Sequence, residues 1–270
     1  MSTVNAERKK AVTLNTLRRL KADGNKFTCL ALYDASMAAL AETNGVEIVL
    51  VGDSLGMTVQ GYDSTLPVTI NDMVYHTAAV KRGNQKSLII ADMPFMTYSS
   101  PEQAVSNAGL LMQAGAHMVK LEGGNWLCET VTKLNDCGIP VCAHLGLTPQ
   151  SVNKLGGYRV QGREQKQAET IREDTRALAT AGADLIVLEC IPASLGKAIS
   201  EQIDIMTIGI GAGADTHAQV LVVNDMLGIT AHPPKFSKNF LAENKSIADA
   251  IAQYVSDVKS SHFPTEEHSF

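Results

Sequence analysis

Residues able to do acid–base or metal chemistry recur in this chain in one setting, directly after short runs of aliphatic residues. Asp53 follows Val51-Gly52, Asp92 follows Ile90-Ala91, Glu122 follows Lys120-Leu121, His144 follows Cys142-Ala143, and Glu189 follows Val187-Leu188. If those runs are strands of one parallel barrel, the side chains arrive together at a single mouth, because barrel active sites assemble at the carboxyl ends of the strands. Like charges gathered there repel unless a cation neutralises them or some are protonated. Carboxylate oxygens suit hard cations, and Mg²⁺ takes one or two of them and completes its shell with water and substrate oxygens. The cluster predicts a divalent-metal site; the other reading is that single acids cap the next helix or turn. Lys120 precedes Glu122 by two positions, so the period of a strand turns both to the same face. An inward lysine beside acids is costly unless paired, which makes it a structural ion-pair partner or a ligand for a substrate anion. His144 is as readily a buried supporting residue as a functional one.

Two glycine-bearing segments add to this set. Gly209-Ile-Gly211-Ala-Gly213 follows an apolar run and can present backbone N–H groups to a phosphate, but it lacks the spacing of the known phosphate loops. Its other reading is close backbone packing at a barrel rim. Residues 155–163 combine glycines with Tyr158, Arg159 and Arg163, as a substrate-covering loop or a subunit contact would.

The elements that must position these residues are legible as an alternation. Apolar runs at 27–33, 47–52, 87–91, 117–121, 140–143, 184–188 and 205–208 predict seven strands, and the stretches 72–81, 101–114 and 163–181 predict helices between them. The runs are continuous in hydrophobicity, as expected of strands covered on both faces. Val220 and its neighbours, at 219–223, form an eighth apolar run, but it follows Gly213 too closely for an ordinary parallel crossover, which needs about a dozen residues. It is left open as helix or strand. A closed (β/α)8 TIM-type barrel is the predicted fold, with an open doubly wound sheet as the alternative. The 270 residues read as one domain, since α/β barrels run to about 250 residues as a unit. Leu14, Leu17 and Leu20 predict an N-terminal amphipathic helix, with the basic residues Arg8, Lys9, Lys10, Arg18, Arg19 and Lys21 open to a second reading as an organelle presequence. Residues 244–258 predict a final helix, followed by a polar tail.

Composition narrows the function classes. A net charge of −5 lacks the basic footprint of nucleic-acid binding. The five cysteines form no CxxC pair, which predicts neither a zinc site nor a disulfide framework and fits a reducing compartment. No apolar run approaches a membrane span or a signal peptide, so a cytoplasmic protein without a membrane partner is expected.

Taken in order, the segments Val51-Gly-Asp-Ser-Leu-Gly56, Ala91-Asp-Met-Pro-Phe95, Val119-Lys-Leu-Glu-Gly-Gly124, Ala143-His-Leu-Gly-Leu-Thr-Pro149, Leu155-Gly-Gly-Tyr-Arg-Val-Gln-Gly-Arg163, Leu188-Glu-Cys190 and Ile208-Gly-Ile-Gly-Ala-Gly213 resemble the successive motifs of the ketopantoate hydroxymethyltransferase family. The resemblance runs from about Leu14 to Phe270. It implies a (β/α)8 barrel, Mg²⁺ dependence, 5,10-methylenetetrahydrofolate as one-carbon donor, 3-methyl-2-oxobutanoate as acceptor, and a place in pantothenate biosynthesis. It also implies a homo-oligomer, commonly a decamer. By motif position, Asp53, Asp92 and Glu122 would surround the metal, Ser54 and Lys120 would contact the oxo acid along with Asp53 and Asp92, and Glu189 would accept the proton. Two positions depart from the family pattern: Ala218 stands where glycine is common, and Asn224 where histidine often precedes Asp225. The chemistry so implied is coherent, since a 2-oxo acid chelates Mg²⁺ and the metal then stabilises an enolate. The basic residues Lys154, Arg159 and Arg163 are further expected to meet the folate's carboxylates, with pairing to nearby acids or to a neighbouring subunit as the competing expectation.

Overall fold

A computed structural model describes residues 11–270. The basic stretch Arg8, Lys9 and Lys10 lies outside them. The chain begins with helix α1 (Leu14–Ala22) and strand β1 (Phe27–Ala31), then α2 (Ala35–Thr43), β2 (Ile48–Val51), the short α3 (Leu55–Thr58) and α4 (Ile70–Gly83). It continues through β3 (Leu88–Asp92), α5 (Pro101–Ala114), β4 (Met118–Glu122), α6 (Cys128–Asp136), β5 (Val141–Gly146), the short α7 (Val152–Leu155) and α8 (Gln165–Thr180). The last part comprises β6 (Leu185–Glu189), α9 (Ala193–Gln202), β7 (Met206–Ile210), β8 (Ala218–Val222), the short α10 (Val223–Met226) and α11 (Ile247–Lys259). All neighbouring strands pair in parallel, and β8 pairs with β1, so the sheet is a closed eight-stranded barrel and not an open one.

The predicted strands are buried along nearly their whole length. This follows from a parallel sheet with side chains filling the barrel on one face and helices covering the other. Helix starts carry the expected caps: Thr13 accepts from the Thr16 N–H, Asp34 from Met37, Ser100 from Gln103 ahead of Pro101, and Ser246 from Asp249. Helix α1 fixes the amino-terminal face of the barrel. Arg18 pairs with Asp184 at 2.7 Å, and Lys21 Nζ donates to the carbonyls of Ile203, Asp204 and Ile205 just before β7.

The open segment at 219–223 is resolved as a strand, β8, and the short connection has a physical explanation. Ile208 pairs with Ala218, so β8 starts level with the middle of β7 and the chain need descend only part of a strand. Residues 211–217 return without a helix along the outer face of β7. There His217 Nδ1 accepts from the Thr207 N–H at 3.0 Å, and a Cβ on Gly209 would stand 2.5 Å from Thr216 Oγ1. The glycine is what lets the returning chain lie against the strand. Helix α11 then covers the β8–β1 seam, its buried Tyr254 hydroxyl donating to the carbonyls of Cys29 and Gln219 at 2.9 Å each.

Candidate active site

The carboxyl ends of the strands open onto a cavity of about 900 Å³. Asp53, Ser54, Asp92, Lys120, Glu122, His144 and Glu189, all singled out in the sequence, line it together. Asp92, Glu122 and Glu189 are the last residues of β3, β4 and β6, and Lys120 and His144 lie within β4 and β5, one pleat deeper. Asp53 stands in the turn between β2 and α3. Its backbone N–H donates to Asp92 Oδ2 at 3.0 Å, tying the ends of two adjacent strands together.

Charge alternates across the floor. Lys120 Nζ lies 3.1 Å from Asp92 Oδ1 and 3.7 Å from Glu122 Oε1, and His144 places Nδ1 3.2 Å from Glu122 Oε1 and Nε2 3.2 Å from Glu189 Oε2. These are ion-pair distances without well-directed hydrogen bonds: Asp92 Oδ1, Glu122 Oε1 and His144 Nε2 are buried with no hydrogen-bond partner. Burial, and then the charges of Asp92 and Glu122, push the Asp53 carboxyl well above the ordinary aspartate range. Burial also pushes Asp92 up, although the Lys120 ammonium pulls the other way. For Glu122 burial opposes ionisation but the His144 and Lys120 charges outweigh it, and the group ends below the usual glutamate range. Burial alone would neutralise Lys120; the surrounding Asp92, Glu122 and Asp53 hold it protonated instead. For His144, burial and Lys120 oppose the charge, yet Glu122 and Glu189 carry it up to about 9. His144 Nδ1 also lies 3.3 Å from Lys120 Nζ, inside the same ring of carboxylates.

Gln150, just past β5, was not anticipated as a site residue. Its side-chain N–H donates to Asp53 Oδ2 at 2.8 Å and to the Met93 carbonyl at 3.0 Å, while its backbone N–H donates to Glu122 Oε2 at 3.0 Å. The Tyr98 hydroxyl donates to its Oε1. One buried residue thus holds two of the acids, Asp53 through its side-chain amide and Glu122 through its backbone N–H. The signal was its place after Thr148-Pro149, immediately downstream of a recognised segment. Ser54, half-buried, exchanges a 2.9 Å hydrogen bond with the Tyr33 hydroxyl, a second residue the sequence reading missed. Beyond Glu189, Cys190 adopts φ +47, a left-handed conformation rare for a non-glycine residue, held by its N–H to the Ile210 carbonyl and its carbonyl to the Gln161 N–H. That turn pins the Glu189 end of β6.

The donor set fits a hard divalent cation. Asp92 Oδ1 and Glu122 Oε1 are buried acceptors that make ion-pair approaches but no hydrogen bond, and the oxygens of Asp53, Asp92 and Glu122 share the preference for such ions. Among the described residues no three His, Cys, Asp or Glu side chains are arranged to hold a metal by themselves, so water and substrate would have to complete the shell. Of the basic residues at 154–163, Arg159 lines the cavity and Lys154 and Arg163 do not; Tyr158 and Val160 join Arg159 in the wall. The glycines at 209–213 serve close packing: Gly209 against Thr216, Gly211 against two aromatic rings, and Gly213 against Ala193. Asn224, one of the two departures from the family pattern, faces the cavity, and Ala218 is buried at the start of β8.

Solved structures, one of them described as a phosphoenolpyruvate mutase/isocitrate lyase superfamily member, share the parallel barrel at the level of fold. Phosphonopyruvate hydrolase superposes with a TM-score of 0.62 at 14% identity, covering 93% of this chain and 98% of that one. A 2,3-dimethylmalate lyase described as a member of that superfamily gives 0.57 at 17% identity over 82% of this chain and 83% of its own. The family itself is narrower. The model of the ketopantoate hydroxymethyltransferase family matches residues 11–266, and this chain belongs to that family. It is 63% identical over 261 residues to the 3-methyl-2-oxobutanoate hydroxymethyltransferase of Saccharophagus degradans, covering 97% of each chain, and 57% identical over 260 residues to that of Shewanella loihica, covering 96% of this chain and 98% of the other.

Proposed function

We propose that the chain transfers a hydroxymethyl group from 5,10-methylenetetrahydrofolate to 3-methyl-2-oxobutanoate, giving 2-dehydropantoate in pantothenate biosynthesis. The observation that carries this reading is the separation of roles in one cavity: Asp53, Asp92 and Glu122 gather around Lys120, while Glu189 stands apart on β6. Asp53, Asp92 and Glu122 are the residues that would surround Mg²⁺. When bound, the cation supplies Lewis-acid stabilisation of negative charge on the substrate's keto oxygen.

The chain's own residues do the rest. Lys120, fixed as a cation by its acidic neighbours, offers N–H donors to the oxo acid's carboxylate, and the Ser54–Tyr33 hydroxyl pair offers a second contact. Glu189 accepts the proton from the third carbon of the oxo acid, and His144 Nε2, 3.2 Å from Glu189 Oε2, holds that carboxylate in place. The methylene carbon is bonded to two folate nitrogens: one of these C–N bonds breaks as the third carbon bonds to it, and the other as water's oxygen takes the nitrogen's place. The proton from the third carbon and one from water end on the two nitrogens, and tetrahydrofolate leaves. The cavity of about 900 Å³ is in the range that receives drug-sized ligands, which suits a small acid together with part of a larger donor.

The deciding experiment measures product from 3-methyl-2-oxobutanoate and methylenetetrahydrofolate with and without chelator, alongside exchange of the third-carbon proton with deuterated solvent. Folate-dependent product that vanishes with chelator is expected. Glu189→Gln is expected to slow the exchange by about a thousandfold, within the range of a general base. Folate-independent turnover, or wild-type exchange in Glu189→Gln, overturns the reading.

A further inference from the structure

The far end of the sequence, expected as a polar tail, instead forms part of the cavity wall. Residues 265–270 fold back over the barrel mouth. The Ala193 N–H donates to the Phe270 carbonyl at 2.8 Å, and Lys235 Nζ donates to the Ser269 carbonyl at 2.6 Å while standing 5.0 Å from the centre of the Phe270 ring. Phe270 and Phe236 both line the cavity. They meet over Gly211: a Cβ there would lie 2.9 Å from the Phe270 ring and 3.1 Å from that of Phe236, and the backbone holds φ +60. Any side chain at 211 would displace one ring or the other, so this glycine is fitted to two aromatic faces.

The position of that pair relative to the reacting centre is fixed by strand register. Glu189 pairs with Ile210, the residue immediately before Gly211, and the Cys190 N–H donates to the Ile210 carbonyl at 2.8 Å. Gly211 and the rings seated on it thus follow the β7 residue level with Glu189, on the opposite side of β6 from β4 and β5, and line the same cavity as that carboxylate. On the proposed function the oxo acid's carboxylate goes to Lys120 on β4. The β7 side of Glu189 is then where the one-carbon donor would approach the third carbon.

We infer that Phe270, seated with Phe236 over Gly211, is the apolar platform against which the flat ring of the one-carbon donor stacks, making residues 265–270 a specificity-determining part of the active site. The inference rests on the function proposed above. Aromatic faces favour planar, conjugated partners, and Phe270, half-buried against the edge of the core, keeps part of its side chain on the cavity.

The test measures three quantities on wild type, Phe270→Leu, Phe270→Ala and Phe270→Tyr: calorimetric affinity for tetrahydrofolate in the presence of the oxo acid, KM for methylenetetrahydrofolate, and third-carbon proton exchange without donor. Phe270→Ala is expected to weaken folate binding and raise its KM about tenfold, in line with the loss of one stacking face, and Phe270→Leu to do so nearly as much. Phe270→Tyr restores both to near wild type, and proton exchange stays within twofold in all variants. Unchanged folate affinity in Phe270→Ala, equal loss of proton exchange, or full rescue by leucine overturns the platform while leaving the proposed function standing. A wild type that neither binds tetrahydrofolate nor takes its one-carbon unit overturns both.

Discussion

On the β2–β6 side of the mouth the wall consists of side chains that leave strand ends: Asp53, Asp92, Lys120, Glu122, His144 and Glu189 are all on a strand or within two residues of one. On the β7–β8 side the strands contribute apolar Ile210, Val220 and Val222, and the rest of the wall comes from Asn224, Asp225, residues within 229–236 and Phe270. The first side is charged and tied into the barrel's backbone hydrogen bonds. The second is mostly apolar and aromatic, with Asp225 and Lys235 among its few charged groups, and is held by contacts such as Lys235 to the Ser269 carbonyl. Rigid elements hold chemistry that tolerates little displacement, while more loosely anchored segments receive the larger and more variable ligand.

The sharpest way to break this contrast is to remove charge from the rigid side. Asp53→Ala and Asp92→Ala are both expected to eliminate metal-dependent turnover, but they should differ in the metal-free protein. Burial and the neighbouring acids push the Asp53 carboxyl up, so its loss should not lower the melting temperature, whereas loss of Asp92 leaves the buried Lys120 without its 3.1 Å partner and should lower it. Stopped assays over a Mg²⁺ series, with calorimetry, check this; full activity at limiting Mg²⁺ removes these residues from the metal site. Gln150→Ala probes the same side one step out. Loss of the side-chain amide that holds Asp53, with the backbone contact to Glu122 kept, is expected to raise the Mg²⁺ needed for half-maximal rate by about 10- to 100-fold, as for other residues that orient ligands.

A smaller effect is expected from the looser side. Arg159, exposed at the mouth, can meet a carboxylate of the donor only in high dielectric, so Arg159→Ala should raise the donor's KM a few-fold, more at low salt, with proton exchange unaffected. Arg163→Ala, outside the cavity lining, serves as the control. The last prediction concerns pH. His144 is raised to about 9 in the folded protein from an ordinary 6.5, so its charge stabilises the fold fully below pH 6.5 and that contribution is lost as pH rises through 9. Between those values the melting temperature of the metal-free protein should fall by a few °C more than that of His144→Gln. Parallel curves for the two proteins would place the imidazole in its neutral form.

Much of the fold and the charged half of the site were legible because both obey local rules. Continuous apolar runs mark covered parallel strands, and a polar residue at the end of such a run must leave the barrel at its carboxyl face, so Asp92, Glu122 and Glu189 could be brought together from their spacing alone. Lys120 and Glu122 share a face by the two-residue period of one strand.

Tertiary structure decided whatever depended on partners distant in the chain. The run at 219–223 is a strand because β7 and β8 are offset in register and Gly209 leaves room for the returning chain, neither of which local pattern can express. Gln150 belongs to the site because Asp53, 97 positions earlier, lies within reach of its amide. Phe270 reaches the cavity because a glycine at 211 and a lysine at 235 receive it. Sequence periodicity fixes which way a side chain points from its own element; which group it meets there depends on how the barrel closes, since loop closure brings together residues whose separation along the chain carries no information about their distance in space.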